Sequence, residues 1–148
     1  MYLLQPSGKA MKHLLQLLIP GLILAQTSIA LAADWVSVAT NSVGDQFFVD
    51  KSSIRRNVDT VRYWEYRKFP QPNNAFLVES VNQPVYGAVI NWSVDCKSQV
   101  QRLRQVTAYN QDRQVIQKFN YGDSGSLAQP RAGSSAQKVL EYVCQPAE

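Results

Sequence analysis

The segment Tyr121-Gly122-Asp123-Ser124-Gly125-Ser126 contains Gly-Asp-Ser-Gly, the run that surrounds the nucleophilic serine of chymotrypsin-like proteases. In that arrangement a histidine must take the serine proton. The chain has a single histidine, His13, and it lies in a segment that reads as a leader removed on export. Lysine is the base in other serine hydrolases. Lys118 and Lys138 are near in sequence, but no third group is spaced to orient either. The sequence therefore predicts no catalytic residue and places Ser124 in a loop.

A metal site fares no better. Outside the leader the soft and nitrogen ligands reduce to Cys96 and Cys144, so other ligands would have to be carboxylates. Asp45 and Asp50 flank one apolar run, the remaining acids are scattered, and no calcium-loop spacing occurs. The acids read as solvated surface groups. No metal and no cofactor is expected.

The basic residues carry more information. Arg62 and Lys68 fall on one face of a strand-like run, and Arg102 and Arg104 share a face of another. Were those strands close, the four would make a basic stripe suited to a glycosaminoglycan, another anionic polysaccharide or lipid headgroups. The plainer alternative is a solvated face of ion-paired arginines. Among the aromatics, Trp64 and Trp92 read as core, whereas Tyr63, Tyr66 and Phe69 are candidate surface anchors for a partner.

Several elements must position these groups. Trp35 to Ala39 and Gln46 to Asp50 read as strands joined by a turn at Asn41 to Asp45. Lys51 to Arg56 reads as a helical turn, followed by a reversal at Asn57 to Asp59. Thr60 to Phe69 is a long strand with Trp64 and Tyr66 on one face and Val61, Tyr63 and Phe69 on the other. Glu65 and Arg67 interrupt that second face, which implies that it is partly wet. Residues 70–84 read as irregular loop, with room for a short strand at Phe76 to Val78.

The pattern sharpens in the second half. From Tyr86 to Cys96, Ile90, Trp92, Val94 and Cys96 alternate with Asn91, Ser93 and Asp95, as in an antiparallel sheet covered on one side. Val100 to Tyr109 and Gln114 to Phe119 form a hairpin about Asn110 to Arg113. Residues 120–133 read as a flexible connector, with Gly122 to Gly125 at its start. Ser134 and Gln137 have capping-box spacing, and Ala136, Val139, Leu140 and Val143 make one helical stripe. The fold class is α+β: an antiparallel meander of five or six strands with one C-terminal helix packed on one face.

The N-terminal 32 residues have the layout of a secretory signal peptide. Lys9 and Lys12 precede an apolar run from Leu14 to Leu24, and Ala30-Leu31-Ala32 supplies an A-x-A site; Met11 is an alternative start. The run is short for a membrane span, which takes about 20 apolar residues. Cleavage after Ala32 leaves 148 less 32, or 116, residues as one domain, and loss of Lys9 and Lys12 lowers the net charge from +4 to +2. That charge excludes a broad nucleic-acid footprint. The chain is expected to be exported, to the periplasm, the cell surface or the medium, with no transmembrane span. Cys96 and Cys144 read as a disulfide, with buried thiols as the alternative. The bond would close a loop of about 49 residues, worth roughly 4 kcal/mol of chain entropy. Strand period and helix period both turn these cysteines toward the same apolar layer.

Together, Trp35, Gln46-Phe47-Phe48-Val49-Asp50, Ser53-Ile54-Arg55-Arg56, Thr60-Val61-Arg62-Tyr63-Trp64, Asp95-Cys96, Tyr109-Asn110 and Gly133-Ser134 before a helix ending in Cys144 resemble the bacterial surface-adhesin protein E family. The resemblance spans Trp35 to Cys144 and departs at Asp112-Arg113, where a turn glycine would be usual. It implies a small exported α+β domain with one disulfide. It also implies an adhesin-like role toward an extracellular-matrix protein, with self-association; the basic stripe adds a polyanion as a partner class, and the residues predict no enzyme. No binding residue carries over position by position. The alternative function is an envelope-associated structural protein of the periplasm with no host partner.

Overall fold

The computed structural model describes residues 32–146. All of the predicted leader but Ala32 lies outside the described residues. Eight strands form one antiparallel sheet: β1 (Trp35–Thr40), β2 (Gln46–Asp50), β3 (Arg55–Asn57), β4 (Thr60–Lys68), β5 (Gly87–Asp95), β6 (Val100–Tyr109), β7 (Val115–Asn120) and β8 (Leu127–Ala128). A helix, α1 (Ser135–Cys144), is the last described element. The main path runs β1-β2-β4-β5-β6-β7, with β3 paired to β4 and β8 paired to β6. The six-strand meander is as expected; the two short strands are additions. Residues 51–53 do form a single 3-10 turn, but Arg55 to Asn57 then extends along β4. Residues 76–78 form no strand.

The helix starts where its spacing predicts. The Ser134 hydroxyl oxygen accepts from the Gln137 N–H at 3.1 Å, and the Gln137 carboxamide oxygen accepts from the Gly133 N–H at 2.5 Å. The first bond satisfies an orphan donor of the first helical turn, and the second ties down the residue before the cap. Val139, Leu140 and Val143 are buried against Phe47, Val49, Val61, Tyr63 and Val94, each side chain worth roughly 1.5–3 kcal/mol relative to exposure. The helix packs on β1, β2 and β4. Cys96, at the end of β5, and Cys144 form the disulfide, with Cα atoms 5.6 Å apart.

The helix covers only part of its face of the sheet. The segment between β4 and β5 covers more, because Phe76 and Leu77 pack on both the main core and a second cluster of Phe69, Val85 and Ala108. This coverage corrects the expectation that Glu65 and Arg67 make a wet face. Glu65 is 1 % exposed. Its carboxylate accepts from the Trp92 indole N–H at 2.5 Å and from Arg67 Nε at 2.7 Å. The Arg67 guanidinium also lies 5.0 Å from the Phe47 ring centroid. A buried carboxylate is tolerable only with such partners. Tyr63 and Phe69, candidate anchors by sequence, are buried in the same layer.

Candidate functional site

The opposite face of the sheet is not covered by α1, and the 70–86 segment reaches its groove only at the segment's ends, through Pro70 and Tyr86. Strand registry builds two adjacent rows on it. Phe48 (β2), Tyr66 (β4) and Val89 (β5) pair in succession, and one step toward the strand ends Gln46, Lys68, Gly87 and Tyr109 do the same. Trp35 on β1 closes the aromatic side. Its ring meets Tyr66 edge-on at 5.9 Å, and Tyr66 stacks on Phe48 at 5.7 Å. Both spacings lie in the range of favourable aromatic pairs.

Gly87, in the second row, lets the Tyr66 ring lie close against the backbone. A Cβ there would sit 3.3 Å from the Arg67 carbonyl oxygen and 3.4 Å from Tyr66 Cε2. A side chain there would crowd the Tyr66 ring, and the two rows line an open groove of about 550 Å³. The size lies within the roughly 300–1,000 Å³ usual for small-ligand sites. The β6–β7 turn forms the far rim and brings Gln111 and Arg113 to it. Asn110 locks that turn by accepting from the Asp112 and Gln114 N–H groups at 3.0 and 2.9 Å. Arg113 occupies the left-handed region there, at φ 61°. A non-glycine residue in that region is uncommon and costs stability.

The four basic residues share this face but not one cluster. Arg62, Ser93 and Arg102 are successive register partners. Lys68 lies six residues from Arg62 along β4, or about 20 Å at strand rise. Arg104 sits at a bulge in β6 and donates to the Ser93 hydroxyl at 2.9 Å. Arg102 donates to the carbonyl oxygens of Asp123 and Gly125 at 2.7 and 2.9 Å, and Arg104 pairs with the Asp123 carboxylate. The hydrogen bond and the charge of Arg104 hold the Asp123 carboxyl below its usual range.

These contacts settle the Gly-Asp-Ser-Gly segment. It is not a flexible connector but a 3-10 turn seated on β6, followed by β8. A Cβ at Gly125 would fall 1.6 Å from the Leu103 carbonyl oxygen, so the two backbones touch. The Ser124 hydroxyl donates to the Tyr121 carbonyl at 2.7 Å, closing its own turn. Among the described residues no group of three or more His, Cys, Asp or Glu side chains could hold a metal ion.

Sequence reasoning picked out Tyr66 and Lys68 but missed Trp35, Phe48, Gly87 and Arg113. Trp64, read as core, is half-buried and lies on this uncovered face in register with Asn91. Residue type could not separate it from Trp92, which does lie in the core. Non-local registry assembles the groove, and only Arg113 left a local trace, as the basic residue at a turn position that usually takes glycine.

Fold and site together define a one-sheet α+β domain with a helix-covered face and an open aromatic face. The family model of surface-adhesin protein E matches residues 35–145, and the chain belongs to that family. Crystal form II of Haemophilus influenzae protein E is similar in fold, with a TM-score of 0.51 and 8% identity over 74% of this chain and 86% of that one. A second Haemophilus influenzae protein E structure has a TM-score of 0.49 at 8% identity, covering 74% of this chain and 83% of that one. No curated protein matches the sequence. No helix among the described residues is long and apolar enough to cross a membrane.

Proposed function

We propose that the chain is an exported, non-enzymatic adhesin-like domain of the bacterial envelope. In this reading it is cut after Ala32 and binds an extracellular-matrix protein or polyanion through the open face of its sheet. The observation that carries the proposal is that face itself. Three aromatic rings from three strands line a concavity on that face, Trp35 exposed and Phe48 and Tyr66 half-buried, and aromatic side chains of this kind are typical binding anchors. Family membership supports a surface role. Lys68 at the groove and Arg62, Arg102 and Arg104 at the far end of the face supply cations for an extended acidic partner. The exposed outer strand β7, with Val115 half-exposed, offers an edge for self-association.

The test is made on intact cells producing the full chain. Added protease should remove the protein, and the cells should adhere to matrix-coated surfaces more than cells lacking it. Protection from protease together with equal adhesion would favour a periplasmic structural role and refute the adhesin reading.

A further inference from the structure

The groove carries a chemical signature beyond its aromatic walls. Two cations, Lys68 and Arg113, line it, and no Asp or Glu is among its lining residues. Neither cation has an ion-pair partner among the described residues. At the far end of the face Arg104 is ion-paired with Asp123, and the Arg102 guanidinium is tied up on the Asp123 and Gly125 carbonyls. Unpaired positive charge without a carboxylate beside it selects for an anion. The polar groups left at the site are the Gln46 and Gln111 carboxamides and the Tyr86 and Tyr109 hydroxyls, which suit a ligand bearing many hydroxyls.

Arg113 shares a left-handed backbone with Val58 and Gln99 of two other hairpin turns and is the one that lines the groove. It stands in the left-handed region at a turn position where glycine would be free of strain. The Tyr66 ring lies over buried Gly87 and is itself half-buried among the groove's lining residues. Sugar rings present C–H groups of partial positive charge to the negative face of an aromatic ring.

From these features we infer that the groove binds an acidic saccharide, with sugar rings against Trp35, Phe48 and Tyr66 and carboxylates recognised by Lys68 and Arg113. The inference rests on the open-face reading above and names the ligand class for it. A proline-rich peptide would also suit aromatic walls, but it gives the two free cations no anion to meet.

The experiment titrates the purified protein with hyaluronan hexasaccharide, following tryptophan fluorescence and heat. Maltohexaose serves as the uncharged control and decaproline as the peptide control. The expected result is saturable binding of the hexasaccharide that weakens about tenfold or more in Lys68→Glu and in Arg113→Glu, as for loss of a charged hydrogen bond. Trp35→Ala should weaken it too, and Lys138→Glu on the helix should leave it unchanged. Lys68→Glu decides if Arg113→Glu fails to fold. Absence of hexasaccharide binding, equal binding of maltohexaose, binding of decaproline in its place, or indifference to Lys68→Glu would each overturn the inference. Retained capture of a matrix protein that weakens in Trp35→Ala, without hexasaccharide binding, would overturn this inference alone and leave the open-face reading standing. Loss of both would end both.

Discussion

Alanine at Gly125 would put a Cβ 1.6 Å from the Leu103 carbonyl oxygen. The obstacle is backbone on both sides, so no side-chain rotation relieves it. The 122–126 turn must lift off β6. Three hydrogen bonds go with it: Leu103 N–H to Ser126 O at 3.1 Å, and Arg102 to the Asp123 and Gly125 carbonyls at 2.7 and 2.9 Å. At about 1 kcal/mol each, the loss is roughly 3 kcal/mol. The Arg104–Asp123 pair is omitted, because an exposed ion pair contributes little. For a domain of about 115 residues, each kcal/mol moves Tm by about 4 °C, so Gly125→Ala should melt about 12 °C lower. Ser124→Ala removes only an exposed bond within the turn and should stay within about 1 kcal/mol of the parent. Thermal melts followed by circular dichroism measure both. A Gly125→Ala protein melting within two or three degrees of the parent would refute the seating of this turn on β6. It would also reopen the reading of Gly-Asp-Ser-Gly as a loose loop.

Other expectations follow from the packing. Replacing both Cys96 and Cys144 by alanine opens a link of sequence separation 48 and should cost roughly 4 kcal/mol in denaturant unfolding; a loss under 1 kcal/mol would contradict the bond's role. Tyr63→Phe removes a buried hydroxyl with no partner among the described residues and should raise the urea midpoint, by about 1 kcal/mol of stability. Burial, and next the Glu65 charge, raises the Tyr63 pKa. The neutral phenol's contribution therefore holds below pH about 10 and is lost as pH rises further, and Tyr63→Phe should blunt that alkaline loss. Arg113→Gly relieves the left-handed turn and should stabilise by about 0.5–1 kcal/mol while weakening ligand binding, a split that melting and titration read separately.

The meander was legible because its strands carry a two-residue alternation, as in Ile90, Trp92 and Val94, and because Ser134 and Gln137 mark the helix start. The disulfide was expected from two cysteines in a chain read as exported, and the two periods agreed with it. The burial of Glu65 and Arg67 was not legible, since it depends on Phe76 and Leu77 folding back from a segment with no period of its own. The groove was hidden for a related reason. Trp35, Phe48, Tyr66 and Gly87 belong to four strands, and their meeting depends on register, which no single strand reveals. Similarly, Gly122 to Gly125 has the composition of a loop; its docking comes from a backbone approach that only the partner strand shows.

The central claim is that the open aromatic face is where this protein meets its partner. Surface plasmon resonance of the purified protein over a panel of immobilised matrix glycoproteins tests it, with Trp35→Ala/Lys68→Glu on the open face and Lys138→Glu on the helix as paired variants. The prediction is saturable, salt-sensitive binding to at least one glycoprotein, lost in the open-face variant and kept in the helix variant. Absence of binding across the panel, or binding that the open-face variant retains, would contradict it.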